Sequence, residues 1–317
     1  MTAITAKPIT ATPITARPLT AYGLGESTDG AAAFNPVSLF SSGENGAYFD
    51  AATIATLLQD SAGTTPVTAV GQPIGLLLDQ SQGTVDLTGN LGAETVTNGD
   101  FASGDLTGWD DQGNASAVVS GGIATVTHSA AGNWYADRLH SLDDAMVAGK
   151  MYRVSYDARA VSGANSLYLV NAATTLLGAS LTGTMTTYSK AAFKAVATYF
   201  SFLLNGGAGV YELDNVSVKL IPGNHAQQVT STARPVLAEL SGARYVNFDG
   251  VDDDFDVTMP DLGSNATIAL IAADGTVSYQ EAQTISGAIT LSTDFQKLLY
   301  IDRALTAAEK AGWESLA

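Results

Sequence analysis

Short stretches of alternating apolar and polar residues, separated by glycine-containing turns, recur through the middle of this sequence. A period of two places successive side chains on opposite faces of a strand, so each stretch predicts a strand with one buried face. Ser120-Gly121-Gly122 separates two of them and is typical of a hairpin turn. The stretches are residues 115–119, 123–127, 152–158, 167–170, 200–204 and 216–220. Many short strands at regular spacing predict an all-β protein built as a β-sandwich or jelly roll.

The charge balance excludes several classes of partner. The 317 residues include 31 acidic and 14 basic side chains, which gives a net charge of −17. Such a surface repels phosphate backbones, and the sequence has no basic run or basic amphipathic helix. We therefore expect neither nucleic acid nor a membrane surface as a partner. The hydrophobic content of 46% is enough for a sizeable core, and the length fits about two domains.

Cysteine usage and apolar runs restrict the cellular compartments in which we expect this protein. There is no cysteine, which excludes disulfides and thiolate-bound metals. No apolar run reaches about 18 residues, so no membrane span is predicted. The N-terminus lacks the apolar segment of a secretory signal, and we expect the chain to be made and kept in the cytoplasm until something else releases it.

A five-residue repeat that ends in proline occupies the N-terminus. Its copies begin at Ile4, Ile9, Ile14 and Leu19, and the first three end at Pro8, Pro13 and Pro18. Proline at every fifth position is incompatible with a helix and interrupts a sheet ladder. We therefore predict an extended arm over residues 1–33, whose apolar side chains have no local partner. Two interpretations stay open: a disordered tail, or an arm that becomes ordered on a partner subunit.

The segments on either side of the strand-rich region carry weaker signals. After Asp50 as a helix N-cap, residues 51–59 predict one or two helical turns. Residues 67–70 and 74–78 predict short strands. Near the C-terminus, Thr306-Ala-Ala-Glu309 predicts a capping box followed by a short helix over residues 307–316.

Two motifs bracket the strand-rich region. One is Thr97-Asn-Gly-Asp-Phe-Ala-Ser-Gly-Asp-Leu-Thr-Gly-Trp109, and the other is Tyr211-Glu-Leu-Asp-Asn-Val-Ser-Val218. They resemble the opening and closing strands of carbohydrate-binding-module jelly rolls. The resemblance implies a two-sheet jelly roll over residues 93–221. In many such modules a cleft or loop rim binds sugar, while others are spacers or interaction domains.

A second set of motifs flanks the first. It comprises Phe34-Asn-Pro-Val-Ser-Leu-Phe, Asp60-Ser-Ala-Gly-Thr-Thr-Pro, Gly223-Asn-His-Ala, Arg234-Pro-Val-Leu and Phe248-Asp-Gly-Val-Asp-Asp. These resemble a segment of phage, prophage or gene-transfer-agent-like virion structural proteins. The ending, Tyr300-Ile-Asp-Arg-Ala-Leu-Thr-Ala-Ala-Glu309, is similar to the close of laminin-G-like, concanavalin-type domains. The resemblance implies that residues 34–92 and 222–317 form a split, lectin-like unit that the jelly roll interrupts. This unit is shortened, because the segment of residues 257–298 is too short for the usual set of strands.

No residue pattern in the sequence predicts a catalytic site. The three histidines, His128, His140 and His225, have no paired metal-ligand spacing. No Gly-x-Ser-x-Gly elbow is present to hold a nucleophile. Acidic residues are scattered, and sequence alone does not place a pair of them across a cleft. We therefore predict a protein that is not an enzyme and needs no cofactor, apart from a structural calcium ion.

Calcium has two candidate positions. Asp100 and Asp214 match positions that hold a structural calcium ion in modules of the resembled family, although Ala102 replaces the glutamate that such modules usually carry. The acidic run from Asp249 to Asp256 also offers oxygen ligands, but it lacks the spacing of an EF-hand. We interpret this run mainly as a solvated turn.

Sugar recognition needs a flat aromatic face beside polar side chains that form hydrogen bonds. The stretch Asn133-Trp134-Tyr135-Ala-Asp137-Arg138 offers both, since one of two adjacent rings in a strand faces outward. Tyr168 and Tyr188 are further candidates. Trp109 belongs to the opening motif and is expected in the core.

Three classes of function remain after these exclusions. The first is a non-enzymatic virion protein, such as a tail fibre, head spike or decoration protein, that contacts host-surface carbohydrate. Its arm would dock on other virion proteins, and we expect it to be a homo-oligomer located in the virion. The second is a free surface or secreted carbohydrate-binding protein. The third, which the missing catalytic pattern disfavours, is a polysaccharide-degrading enzyme.

Overall fold

The computed structural model describes residues 33–83, 87, 91–129, 137–142 and 146–317. The predicted arm residues Ile4, Pro8, Ile9, Pro13, Ile14, Pro18 and Leu19 lie outside the described residues. The described residues from 35 to 317 belong to one unit, whose regular structure is mainly β-strand. Within the described residues, no helix combines the length and the apolar character needed to span a membrane.

The first flanking segment contains little regular structure. Its elements are a 3-10 helix at Pro36–Phe40, β1 (Gly46–Asp50), a 3-10 helix at Ile54–Thr56, β2 (Leu57–Leu58) and β3 (Leu76–Leu77). Of the helical turns predicted over residues 51–59, one forms, the 3-10 turn at Ile54–Thr56, and Leu57 and Leu58 pair with β3 instead of continuing it. Tertiary pairing decides the conformation of such a short apolar run. The predicted strand over residues 67–70 is also absent, since the Thr68 and Ala69 amides donate to the Gln72 side chain.

The described part of the central segment contains ten strands. They are β4 (Trp109–Gln112), β5 (Ala115–Ser120), β6 (Ile123–His128), β7 (Arg138–Ser141), β8 (Met151–Gly163), β9 (Ser166–Asn171), β10 (Thr174–Ser180), β11 (Thr186–Lys194), β12 (Ser201–Asn205) and β13 (Gly209–Leu220). They form two antiparallel five-stranded sheets. Sheet I has the order β10-β9-β12-β7-β4, and sheet II has the order β11-β8-β13-β6-β5. This arrangement confirms the predicted all-β, jelly-roll class.

Alternation along these strands builds the core between the two sheets. Trp109, Phe202, Tyr156 and Tyr211 are all buried in it, and the Trp109 prediction is therefore confirmed. Tyr156 contacts Phe202 edge-to-face across the sheets, with ring centroids 4.9 Å apart. Ser120 pairs with Ile123 in the predicted hairpin, and the two glycines between them have positive φ, as a tight turn requires.

The last segment completes the flanking unit. Its elements are β14 (Ala226–Gln227), a 3-10 helix at Ser231–Ala233, β15 (Val236–Leu240), β16 (Ala243–Asn247), β17 (Phe255–Met259), β18 (Ala266–Ile271), β19 (Val277–Gln283), β20 (Gly287–Leu291), β21 (Lys297–Ile301) and α1 (Ala307–Glu314). Sheet III has the order β1-β21-β18-β19, and sheet IV has the order β2-β3-β14-β17-β20. Both sheets therefore combine strands from before and after the jelly roll.

The C-terminal helix begins at the predicted capping box. Thr306 accepts a hydrogen bond from the Glu309 amide, and Glu309 accepts one from the Thr306 amide. Trp313 is fully buried and contacts Tyr48 with ring centroids 6.0 Å apart. The helix ends at Glu314, two residues before the predicted end.

The jelly roll and the flanking unit share an apolar seam. The amide of Gly92 donates to the carbonyl of Leu220 at 2.8 Å, so the two ends of the central segment lie side by side. The seam contains Leu58, Leu76, Leu78 and Leu87 from the flank and Met151, Ala192 and Ile221 from the centre. Burial on this scale fixes the jelly roll against the flanking unit. The domain boundaries at 93 and 221 stay a prediction.

The Gly223-Asn-His motif lies at this junction. Asp79 is buried and accepts hydrogen bonds from the amides of Tyr48 and Asn224. His225 Nδ1 accepts the Asp79 amide at 3.0 Å. Burial raises the pKa of Asp79 to about 6 and lowers that of His225 to about 4. Gly223 has φ of 118°, and a side chain there would collide with Asp79. Backbone conformation and packing therefore explain the glycine of this motif.

Candidate functional site

The outer face of sheet I gathers aromatic and polar side chains. Because Trp109, Leu139 and Phe202 point into the core, their neighbours in β4, β7 and β12 point outward. We call this surface the Tyr168 face; its outward residues include Asp110, Gln112, Arg138, His140, Tyr168, Tyr199 and Asn205. From β4 to β10 it spans four strand spacings, or roughly 19 Å.

Tyr168 lies against a glycine on the neighbouring strand. It pairs with Gly178, and a Cβ built on Gly178 would lie only 2.6 Å from Tyr168 Cε1. The absence of a side chain at Gly178 thus allows the phenol ring to lie low across β10. The Asn205 amide donates to the Tyr168 hydroxyl at 3.1 Å and orients the ring from its other end.

A chain of polar contacts follows at the β4 side of the face. Arg138 Nε donates to Gln112 Oε1 at 2.8 Å, and Gln112 Nε2 donates to Asp110 Oδ2 at 3.0 Å. Gln112 therefore holds the guanidinium of Arg138 and the carboxylate of Asp110 in fixed positions. The network offers both donors and acceptors to a ligand on this face.

His140 occupies the middle of the face. Its Nδ1 lies 2.9 Å from Ser201 Oγ on the paired strand, and its ring contacts Tyr199 with centroids 4.8 Å apart. Ser201 is fully buried, so a substrate atom does not reach its hydroxyl. The pair thus orients the imidazole and does not present a nucleophile.

The predicted sugar-contact residues separate into groups. Arg138 and Tyr168 both lie on the Tyr168 face. The prediction that Asp137 contacts sugar is corrected, because its side chain is buried. Its Oδ1 accepts a hydrogen bond from the Asn114 amide at 2.7 Å and so stabilises a turn. Tyr188 is also corrected, because it stacks on Tyr156 at the core edge, with centroids 5.6 Å apart, away from that face. Asn133, Trp134 and Tyr135 lie outside the described residues.

Several residues of the face were missed from sequence. Asp110 and Gln112 had a usable signal, since fixing Trp109 inward sends both outward by alternation. His140 follows in the same way from Arg138, two residues earlier. The contact between Tyr168 and Gly178 had no such signal in the sequence. The register between β9 and β10 shifts at a bulge between Thr175 and Leu177, and the sequence does not show this shift.

The predicted calcium pair does not form a complete site. Asp100 accepts the Ala102 amide at 3.2 Å, and Asp214 accepts the Asn215 amide at 2.7 Å. Burial raises the pKa of Asp214, the Asn215 bond lowers it, and repulsion from Asp157 and Asp100 adds to the rise. Two carboxylates fall short of the six to eight oxygens that calcium takes. These two side chains alone therefore do not complete a calcium site.

The acidic turn is held together by its own backbone. Asp249, Asp252 and Asp253 place carboxylate oxygens within 4.8 Å of one another, the one such acidic group among the described residues. Asp249 Oδ1 accepts the amides of Val251 at 2.8 Å and of Asp252 and Asp253 at 3.3 Å. These bonds explain the turn as architecture.

No protein-family model and no curated protein matches this chain. Among solved structures, a CBM4 module is 18% identical, with a TM-score of 0.32, over 39% of this chain and 99% of its own. The CBM22-1 xylan-binding domain of Xyn10C from Paenibacillus barcinonensis is 15% identical, with a TM-score of 0.34, over 42% of this chain and 97% of its own. The enzymatically active domain of tailspike protein 4 from bacteriophage CBA120 is 12% identical, with a TM-score of 0.30, over 40% of this chain and 21% of its own.

Proposed function

We propose that this chain is a non-enzymatic adhesion protein whose jelly roll binds carbohydrate on the Tyr168 face. The observation that carries the proposal is the low-lying Tyr168 ring, oriented by Gly178 and Asn205, on the same face as the Arg138–Gln112–Asp110 network. Rings set in this way are prepared for stacking before a ligand arrives, which lowers the entropy lost on binding.

The chemistry of sugars matches this arrangement. Sugar rings have apolar C–H faces, which stack on aromatic rings, and hydroxyls that lose water on binding and need new hydrogen bonds. Tyr168 and Tyr199 supply rings, while Arg138 donates and Asp110 accepts. A face that combined rings with apolar residues alone would leave the hydroxyls unsatisfied, and binding would be weak.

The placement of the acidic residues supports binding without hydrolysis. Asp110 and Asp111 are adjacent in β4 and therefore point to opposite faces of sheet I. Asp111 Oδ2 accepts the Ala117 amide at 2.8 Å, so it is engaged in the fold. The two carboxylates do not face each other across a substrate, as a glycosidase pair does.

The proposal includes a place in a virion. A single shallow face supports a modest affinity, on the order of millimolar to micromolar. Many copies on one particle convert such sites into firm adhesion to a host surface. The proline-punctuated arm of residues 1–33 supports this role by its sequence, since its spaced apolar side chains suit docking on other virion proteins. The free or secreted alternative shares the same face and lacks this use for the arm.

A glycan array probed with the intact chain tests the binding proposal. We expect a retained glycan, and we expect Tyr168→Ala to weaken its binding by about tenfold or more, as loss of an aromatic anchor does. Tyr168→Phe keeps the ring and should retain most of the affinity. Val118→Ser, on the outer face of sheet II, is the matched control. Unchanged binding by Tyr168→Ala, at an unchanged melting temperature, would contradict the proposal.

A further inference from the structure

A groove separates the edge of the jelly roll from the flanking unit. It has a volume of about 330 Å³, and its apolar lining includes Leu176, Phe193, Val196 and Val229. Val196 is 56% exposed and Val229 is 68% exposed, so the groove presents apolar side chains to solvent. Exposed apolar surface of this kind is typical of interaction sites.

Two lysines line the same groove. Lys190 Nζ donates to the Leu176 carbonyl at 2.9 Å, and Asp60 attracts it from the flanking unit. Asp60 is itself engaged by Thr64 and Thr65. Lys194 forms no ion pair within the part of the chain that the structure describes. In a chain of net charge −17, a groove with two lysines is an unusual local excess of positive charge.

The acidic turn complements the groove, because it carries carboxylates where the groove carries lysines and it also exposes an apolar side chain. Val251 at its tip is 85% exposed, more than the other large apolar residues among those described. Asp249 and Asp252 flank it, and Asp249 fixes the turn by accepting backbone amides. Burial raises the pKa of Asp253, the Asp249 amide lowers it, and repulsion from its acidic neighbours raises it further. These carboxylates form no ion pair within the described part of the chain, so the turn presents an apolar side chain among acidic groups.

The turn and the groove lie near each other on the molecule. The Gln228 side chain donates to Asp254 at the end of the turn, and Val229, the next residue, lines the groove. A projecting feature beside its own complement suits a twofold arrangement, in which each of two copies inserts its turn into the other's groove.

We propose that copies of this chain associate by seating the Val251 turn of one copy in the Lys190–Lys194 groove of another. Val251 fills the apolar floor, and the flanking carboxylates approach the lysines. None of the residues that define the Tyr168 face lines the groove.

Sedimentation velocity of the intact chain over a concentration series tests this contact. We expect self-association that weakens as salt is raised, because exposed charges are screened. Val251→Ser and Lys194→Glu should each weaken association by about tenfold or more. Asp252→Lys alone should also weaken it, and the double variant Lys194→Glu, Asp252→Lys should restore most of the lost association by reversing the pair.

Two matched controls change exposed residues elsewhere. Val118→Ser and Glu239→Lys should associate like the parent chain. A monomer at every concentration would overturn the proposal, and so would single variants that associate normally. Retention of an acidic polysaccharide that is lost in Lys194→Glu while self-association is unchanged would assign the groove to a glycan instead.

Discussion

The two sheets of the jelly roll share one core but present different chemistry on their outer faces. On sheet I, rings and a hydrogen-bonded polar network lie together around Tyr168. On sheet II, one row across the strands reads Val118, Thr125, Glu212 and Arg159. The other outward positions described on sheet II are mainly serine, threonine and charged residues. We call this surface the Glu212 face.

The difference shows that the Glu212 face has the composition of a typical solvated sheet surface. Arg159 and Glu212 form an ion pair at 2.7 Å, with side chains 40% and 16% exposed, so these two charges satisfy each other. Small β-branched and hydroxyl side chains on a strand are what a solvated face requires. Solvation does not require a glycine below a tyrosine ring or an amide holding its hydroxyl. This contrast supports the proposed binding on the Tyr168 face, and paired substitutions test it.

The largest contrast should come from two outward-facing arginines. Arg138→Ala removes a charged donor from the Tyr168 face, and Arg159→Ala removes one from the Glu212 face. Hydrogen bonds to charged groups are worth about 1.5–3 kcal/mol. Titration with the glycan retained by the parent chain should therefore show a loss of about tenfold or more for Arg138→Ala. Arg159→Ala should bind like the parent; equal losses in both would remove the distinction between the faces.

A smaller effect should follow from adding one methyl group below Tyr168. Gly178→Ala puts a Cβ at 2.6 Å from Tyr168 Cε1, so the ring must move. The displaced ring should lose about 0.5–1.5 kcal/mol of aromatic interaction with a sugar, or about two- to tenfold in affinity. Gly183→Ala is the matched control, because its Cβ would meet nothing within 4 Å.

Thermal unfolding separates this effect from a loss of folding. Both variants should melt close to the parent chain, since neither glycine has positive φ. If Gly178→Ala bound the glycan as tightly as the parent, the position of the Tyr168 ring would be irrelevant to recognition.

Alternation in the sequence predicted the jelly roll because it depends only on which face of a strand is buried. The opening motif placed Trp109 in the core, and the turn residues Ser120-Gly121-Gly122 predicted the hairpin. Local signals were insufficient at the end of residues 51–59, where Leu57 and Leu58 are compatible with either a helical turn or a strand. Pairing with Leu76 and Leu77, about twenty residues later, settled the choice, and local propensity carries no information about that partner.

The candidate site was predicted only in part. Arg138 and Tyr168 were found by residue type, but Asp137 was misplaced because neighbouring strand residues face opposite ways. Once Arg138 faces outward, Asp137 faces the interior and meets Asn114. The Tyr168–Gly178 pairing depends on a bulge in β10, which the sequence does not reveal.

The smallest effect concerns the acidic residues near sheet II. Asp214 has a pKa raised above its usual value, by burial first and by repulsion from Asp157 and Asp100, against the Asn215 bond that lowers it. The folded state therefore holds a proton at a pH where the unfolded chain has lost it. The corresponding stability is present below the unfolded pKa of about 3.9 and is lost as pH rises through the folded value.

Asp214→Asn removes the charge and keeps an oxygen that can accept the Asn215 amide. At neutral pH this variant should be slightly more stable than the parent, by about 0.5 kcal/mol or less. The difference should vanish in acid, where the parent carboxyl is protonated. Melting curves across pH, with and without calcium, measure both points.

If calcium stabilises the parent but not Asp214→Asn, other oxygens must complete a metal site around Asp214, because ligand binding to the folded state raises its stability. If calcium has no effect on either, Asp214 belongs to no calcium site, and its burial together with repulsion from Asp157 and Asp100 accounts for its effect on stability.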